Sequence, residues 1–516
     1  MKIQSKPALK LVLSIFSFFG LAGANAQDFY LPVNNLSILR MERMGLQRQQ
    51  NVHFGLKPVS NYNIESKGIA GVGRDTTKYY YWYTEKIFSD HLIELRKENF
   101  KLNADFIFDF GYGQELISPG DRTDTYVNQR GFALSAQIGE RVFLYTDFRE
   151  IQTRVPFYLN QFADSLSVLP GSPQLKVFKE TGWDYNMANG YVGIRAADWL
   201  DLSLGHYEQF VGFGHRSLIL SDNSFNYPFA SYNIKPGKGK LQYKYTIGLL
   251  QNQERLPIGE APESLFKRKY FNLNYLSFKP FKSLEIGIAE LTIWKQFDDS
   301  TGTEPFNAQS LIPIPGLNTA LNGFDSEEQN SLLGLNIGWH PLKNLSIYGQ
   351  LVLDDPSTDR YAYQIGGKYR NIFGRIDLGI EYNHAEPFMY AAQESLQSIS
   401  HSNQALAHPM GAGFDEYRLE LNYYYNRILL SAEVIYAEYA NRGRDILKPL
   451  EAINQSSARN LNYQNVRLAY VFNPRTNMQV YMGITNRKED LQNDSNTNQF
   501  WYFGIRTDLN NVYRNF

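Results

Sequence analysis

Alternation of apolar and polar residues, repeated in segment after segment, constrains this chain more than any other feature. From Phe100 to Tyr112, the residues Phe100, Leu102, Ala104, Phe106, Phe108, Phe110 and Tyr112 share one face of an extended chain, and Lys101, Asn103, Asp105 and Asp109 share the other. A period of two is the period of a strand. The apolar face is continuous over the length a bilayer demands, while the opposite face carries charge. Such a segment looks into lipid on one side and into water on the other, which is the pattern of a transmembrane β-barrel.

The first residues say where that barrel resides. Lys2, Lys6 and Lys10 accompany the short apolar run Leu11–Leu21, and Ala24-Asn25-Ala26 places small residues just before Gln27. This is the arrangement of a cleaved secretory signal, and the apolar run is too short for a membrane helix, which needs roughly 20 residues. The sequence therefore predicts a signal peptide over 1–26, a periplasmic helical segment over 27–98 and an outer-membrane β-barrel over 99–516, in a Gram-negative bacterium. Within the helical segment, Lys78–Glu98 carries Phe88, Leu92 and Leu95 at helical spacing, and Asn35–Gln47 is a second, weaker helical stretch. Preceding the first strand, the segment is expected to pack against the lower mouth of the barrel or to plug it.

Composition agrees. A mature length of about 490 residues would suggest several soluble domains, yet no linker or change of composition divides the chain beyond residue 100. A mean hydropathy of -0.40 fits a barrel, because only every second strand residue faces lipid. The 36 Tyr and 34 Phe suit aromatic girdles at both membrane surfaces better than the alternative, a secreted β-sandwich with a tyrosine-rich core. Zero cysteines remove any disulfide framework and any thiolate metal or redox site. The 8 histidines lack metal-ligand spacing, so no metal and no cofactor is expected. A net charge of -1 gives no reason to invoke nucleic acid.

About 18 strands can be counted from Phe100 onward, an even number of the kind bacterial barrels use. The clearest are Arg375–Asn383, Tyr417–Tyr423, Val466–Phe472 and Met478–Ile484. In the first of these, Ile376, Leu378, Ile380 and Tyr382 should point outward, and Arg375, Asp377, Glu381 and Asn383 inward. Tight turns are expected at Gly139-Glu140, Pro236–Gly239, Pro280–Lys282, Pro341–Lys343, Asn426-Arg427 and Asn473–Arg475, facing the periplasm. The long stretches Gln152–Tyr185, Lys295–Glu328 and His384–Asp415 are expected outside the cell. A terminal strand, Gln499–Leu509, is expected to run on to Phe516.

Three segments break the strand rhythm. Gly212-Phe213-Gly214-His215-Arg216-Ser217, continuing to Asp222-Asn223, has glycines that free the backbone. Its Arg216, Asp222 and Asn223 offer a donor fork and acceptors suited to sugar hydroxyls or carboxylates. The alternative for this stretch is a loop folded inward and held by its own hydrogen bonds. In Gly287–Trp294 the apolar parity changes, and a one-residue bulge near Ala289 and Glu290 would restore both faces and aim Glu290 into the lumen toward an arginine. Tyr348–Pro356 ends on Asp354 and Asp355, where ordinary turn chemistry outweighs cation binding or acid-base work. His215 with Ser217 or Ser221 does not compose a hydrolase site, because nothing places base and nucleophile together.

These motifs, GFGHRSLILSDNSFNYP, GIAELTIW and YGQLVLDDP, in the order helical preface, strands and terminal aromatic strand, resemble the Wzi family of capsule-assembly outer-membrane barrels. Within that family the chain is similar to the branch from gliding Bacteroidetes-type bacteria that includes the motility protein RemB. The resemblance implies an 18-stranded barrel with a periplasmic helical bundle and loops folded inside, acting in attachment of capsular polysaccharide to the cell surface. It supplies no catalytic residues, so no enzyme activity is expected. Gly212-Phe213-Gly214 departs from the Gly-Pro-Gly of better-known members. The partners implied are surface or capsular polysaccharide, outer-membrane lipid and the barrel assembly machinery. A role in gliding motility and a diffusion porin stand as the alternatives.

Overall fold

The computed structural model describes residues 30–31, 35–49, 52–60, 81–118, 121–237, 239–256, 266–298, 302–453, 457–491, 494–507 and 511–516. The expected signal peptide lies outside these residues. Among them, 18 antiparallel strands close into one barrel. In chain order these are β1 (Phe100–Ser118), β2 (Asp121–Ile138), β3 (Val142–Arg154), β4 (Gly182–Ala197), β5 (Leu200–Tyr207) and β6 (Tyr227–Ile234). The wall continues through β7 (Leu241–Arg255), β8 (Phe266–Phe281), β9 (Leu284–Lys295), β10 (Gln329–Leu342), β11 (Leu345–Asp355) and β12 (Arg360–Ile372). It ends with β13 (Ile376–Ala385), β14 (Phe414–Tyr425), β15 (Ile428–Tyr439), β16 (Arg459–Asn473), β17 (Met478–Leu491) and β18 (Asp494–Thr507). The cylinder closes where β18 meets β1, from Gln499 opposite Leu116 to Arg506 opposite Asp109.

The period-two pattern places side chains as expected over most of the wall. Phe106 is 63% exposed and Ile380 55%, on the outer face, while Asp377, Glu381, Asn383 and Glu416 are buried inside. Tight turns gather at one end, and the two-residue turn after β14 holds Asn426 at φ 53°, a conformation that asparagine tolerates. Helix α1 (Asn35–Met44) and the turn after it lie across these turns. Arg48 donates to the Pro341 carbonyl at 2.7 Å, Arg40 to that of Pro474 at 2.5 Å, and Arg43 to the Asn371 side chain at 2.9 Å. The short-turn end, periplasmic by the rule for such barrels, is thus crossed by the N-terminal segment.

From α1 the chain enters the lumen. The Nζ of Lys279 collects the carbonyls of Gln47, Gln49 and Val52 at 2.8 to 2.9 Å, and the Phe54 and Gly55 amides donate to Glu285 at 2.9 and 3.0 Å. Leu56–Lys57 then pairs as a strand with Phe210–Val211, inside the barrel. At the mouth, Glu42 meets Lys368 at 3.1 Å and Arg370 at 3.0 Å. Burial alone would push the Glu42 carboxyl up, but the two cations outweigh it and hold it down at about 2.

Three expectations need correction. Among the described residues of the expected helix Lys78–Glu98, only α2 (Trp82–Phe88) is helical, and Ile93–Lys97 is a strand on the lower edge of β1, with Ile93 opposite Ala104. Its Ile-Glu-Leu-Arg alternation also fits period two, and the neighbouring hairpin satisfies its backbone. The second correction concerns the C-terminal residues. On that same edge of β1, the last strand pairs as far as Arg506 opposite Asp109, and residues 511–516, expected to carry on from the terminal strand, lie in the lumen instead. There Tyr513 donates to Asp222 at 2.7 Å, and the Arg514 carbonyl accepts from Tyr158 of α3 (Phe157–Leu166) at 2.6 Å. Leu509 lies outside the described residues.

The third correction is the bulge. Strand β9 keeps unbroken register with β8 through this region, Leu291 opposite Leu273 and Glu290 opposite Asn274, and Glu290 stays on the outward face. The environment changes sides instead. Inward Leu291 and Ile293 are buried against lumen residues such as Ile219 and Leu406, whereas outward Glu290 lies beneath α4 (Leu317–Asn322) of the β9–β10 connection. Its partner is not an arginine: the Thr319 amide and hydroxyl each donate to it at 2.9 Å, and Asn274 donates at 3.4 Å.

A closed strand ladder resists detergent at room temperature, so the unheated protein should run faster on a denaturing gel than the boiled protein. The Glu42 contacts add a pH dependence. A carboxyl lowered from 4.5 to about 2 contributes stability that is complete above pH 4.5 and disappears as pH falls toward 2. Pepsin should therefore cut the segment joining α1 to the lumen increasingly between those pH values, and Glu42→Gln should abolish that step.

Candidate functional site: the lumen plug and its cavity

The connection between β5 and β6, residues 208–226, folds into the lumen and is fixed by inward side chains of four strands. Glu381 on β13 accepts the amides of His215 at 2.7 Å and Arg216 at 3.1 Å, with the Tyr348 hydroxyl at 2.8 Å. Gln350 on β11 accepts from the Leu218 amide and donates to the Val211 carbonyl, both at 2.9 Å. On β12, Gln364 donates to the Arg216 carbonyl at 3.1 Å and Lys368 to that of Phe213 at 2.6 Å. Glu416 on β14 pairs with Arg216 at 3.1 Å and also accepts from His408 at 2.9 Å.

The glycines of the motif are there for approach. Gly212 has φ 147°, and a Cβ on Gly214 would fall 2.6 Å from a Glu381 carboxylate oxygen. Phe213 fits a notch in the wall, where a Cβ on Gly338 would lie 2.7 Å from its ring. The Tyr348–Pro356 motif is accounted for in the same way. Tyr348 and Gln350 hold the plug, and the buried Asp354 accepts the Tyr390 amide of the β13–β14 connection at 2.8 Å. Asp355 instead caps the turn that follows, accepting the Ser357 amide at 3.1 Å.

The three residues singled out for sugar contact face internal partners. Arg216, 1% exposed, donates to Glu416 and to the Asn515 side chain at 3.0 Å. Asp222 accepts from Tyr513 and from Asn511 at 2.6 Å, and Asn223 reaches the Ala405 carbonyl at 3.4 Å. Of the three, Asp222 borders open space. Ser217 is spent on the Val211 carbonyl at 2.5 Å, and burial, with Arg418 and Arg216 near, pushes the His215 imidazole well below its usual value.

That space is a cavity of about 500 Å³ between the plug, residues 511–515 and the wall formed by β1–β4 and β14–β18. Six arginines line it, Arg149, Arg154, Arg418, Arg467, Arg506 and Arg514, along with tyrosines that include Tyr158, Tyr463, Tyr481 and Tyr502. Rings lie along the wall where glycines leave room: a Cβ on Gly504 would be 2.7 Å from the Tyr481 hydroxyl, and one on Gly483 would be 2.5 Å from that of Tyr502. Burial first, and Asp222 next, push Glu208 at the cavity edge well above the usual carboxylate range. Asp109, Asp222, Glu420 and Glu433 line the cavity too, and Arg149 is paired with Asp147 at 2.7 Å. A cavity of aromatic faces and fixed guanidinium forks suits sugar rings bearing acidic groups. The sequence does not bring these residues together because they come from nine strands, the tail and the external connections; inward parity, as for Asp109 on β1, places each in the lumen without placing it in a site.

Residues 120–500 match the capsule assembly protein Wzi family. The chain belongs to that family. The solved structure of Wzi from Escherichia coli, an outer-membrane protein involved in group 1 capsule assembly and a carbohydrate-binding β-barrel, superposes with a TM-score of 0.54 at 13% identity, covering 93% of this chain and 100% of that one. OccAB2 of Acinetobacter baumannii (TM-score 0.43, 8% identity, 79% of this chain and 97% of that one) and a BenF-like porin of Pseudomonas fluorescens Pf-5 (0.42, 10%, 79% and 99%) are more distant. No curated protein sequence matches the chain. Membership of the Wzi family, with the closed strand ladder, makes this an outer-membrane protein of a Gram-negative bacterium.

With the plug in place, single-channel conductance should be far below that of a general porin, and replacing 212–223 with a short linker should raise it sharply. Arg216→Ala should leave the buried Glu416 carboxylate without its arginine, at a cost of about 3–5 kcal/mol, read as bursts of conductance from a loosened plug.

Proposed function

We propose that this protein binds surface polysaccharide and holds it at the outer membrane as part of capsule assembly. The observation that carries the reading is the family match across residues 120–500, most of the barrel. The cavity supports it, and its guanidinium groups and tyrosine rings suit a polymer of sugars that carry acidic groups. In this reading Asp222 borders the bound sugar, while Arg216 and Asn223 act by holding the loop that carries it. The partners are the polysaccharide, outer-membrane lipid and the barrel assembly machinery, and no step of the reading needs a catalytic group. A filled lumen speaks against a diffusion porin.

A deletion strain should still make its polysaccharide but shed more of it into the medium, because an anchor acts after polymerisation and export. Arg154→Ala with Tyr502→Leu should reproduce part of that shedding while the barrel still shows its heat-dependent gel shift. Surface spreading, scored in the same strain, tests the motility role that the RemB-like branch would imply. Normal retention of polysaccharide with the protein confirmed absent would overturn the anchoring role.

A further inference from the structure

The connection between β9 and β10 does something unusual for the outer end of a barrel: it lies against the outside of the wall. Tyr245, Asn274 and Glu290 have outward parity on β7, β8 and β9, alternating in step with exposed Leu249, Phe278 and Ile288, yet they are 5%, 0% and 0% exposed. What covers them is the segment 305–324. The Tyr245 hydroxyl donates to the Ser310 carbonyl at 2.8 Å and Asn274 to that of Ile312 at 3.2 Å. The Asn307 amide donates to Tyr270 at 2.9 Å, and Thr319 binds Glu290 through both its amide and its hydroxyl. Phe306 stacks on Tyr270 with ring centres 5.1 Å apart.

The other side of the segment is apolar. Residues 305–324, PFNAQSLIPIPGLNTALNGF, contain no Asp, Glu, Lys, Arg or His, whereas an extracellular connection of a barrel is ordinarily polar. Phe306, Leu311, Ile314 and Leu321 are 48%, 54%, 54% and 59% exposed. They continue the apolar belt of the wall without interruption. On one flank Leu249 of β7, 44% exposed, pairs with Tyr270, the residue on which Phe306 stacks. On the other, Leu333 of β10 pairs with Glu290 of β9 and would lie 3.9 Å from a Cβ on Gly316, and Leu335 and Ile288 one step below are exposed.

We propose that segment 305–324 is embedded in the outer leaflet and that lipid acyl chains cover its exposed apolar side. Lipid tolerates non-helical backbone only where its polar groups are satisfied by protein. Here Tyr245, Asn274, Tyr270 and Gln329 supply those partners, Gln329 through the carbonyls of Asn318 and Gly323. The polar outward strip on β7–β10 thus exists to seat the segment, which in turn shields a carboxylate, Glu290, from hydrocarbon.

The chain has no cysteine, so single replacements label cleanly. An environment-sensitive fluorophore is placed at Leu311→Cys, Ile314→Cys or Leu321→Cys, with Phe106→Cys on the wall as the lipid reference and Lys448→Cys in an outer connection as the water reference. Each variant is first shown to keep its heat-dependent gel shift, then reconstituted into dioleoylphosphatidylcholine vesicles containing a nitroxide-bearing lipid. The three segment sites should lose fluorescence to the lipid nitroxide as fully as the Phe106 site, emit at the same blue-shifted wavelength and resist aqueous iodide. Quenching by iodide to the extent seen at Lys448 would overturn the proposal. So would protection from both quenchers with energy transfer between labelled copies, which would assign the surface to self-association.

Discussion

A sheet of 18 strands closed on itself encloses more space than its own side chains can fill, and the rest of this structure answers that excess. Segments far apart in sequence meet in the lumen. Residues 52–57 come from below, 210–226 and 386–413 fold in from above, and 511–516 return from the last strand. Glu381 sits where the filling is decided, taking two plug amides, a tyrosine hydroxyl and the Asn383 amide group on one carboxylate. Buried charge on this scale is stable only when every carboxylate is paired or multiply hydrogen-bonded, so Glu381 and Glu416 each tie a strand of the wall to the plug.

Filling one half of the lumen reverses the rule by which the wall was built. Where β8–β10 face the plug, their inward residues are Leu273, Leu291 and Leu332, forming a dry core inside a membrane barrel. Where the same strands face segment 305–324, their outward residues are Asn274, Glu290 and Ser331. Burial against protein, rather than position relative to the membrane, sets side-chain polarity on these strands. The other half of the wall faces lipid and solvated lumen and keeps the ordinary pattern. There the cavity survives, with its arginines and tyrosines. Shape and charge thus divide the barrel into a sealed half that gives rigidity and a half that retains room for a ligand, consistent with a surface anchor and poorly suited to permeation.

Much of this was legible in the chain. Period two over Phe100–Tyr112 and Tyr417–Tyr423 specified strands and their facing, because a half-buried strand has no other way to satisfy both sides. Turn residues such as Asn426 marked which end is tight, since few residues adopt positive φ. The break in rhythm at Gly212–Asn223 marked the plug, although its polar residues proved to hold the loop itself. The helix over Asn35–Met44 was legible too, whereas Leu95 suited helix and strand alike until the edge of β1 claimed it.

What the sequence by itself determined was everything that depends on neighbours along the chain: membrane strands, their number, their turns and the family to which the motifs belong. Tertiary structure alone decided which surface each residue meets. Glu290 could be read as a bulge because local parity records a change of environment without recording which side changed. One edge of β1 is shared by the last strand, down to Arg506 opposite Asp109, and by Ile93–Lys97, a pairing between chain ends that no local pattern records. The cavity arginines come together only when strands distant in sequence curve into one cylinder. A period of two states that a strand has two faces; the packing of the closed barrel states what each face touches.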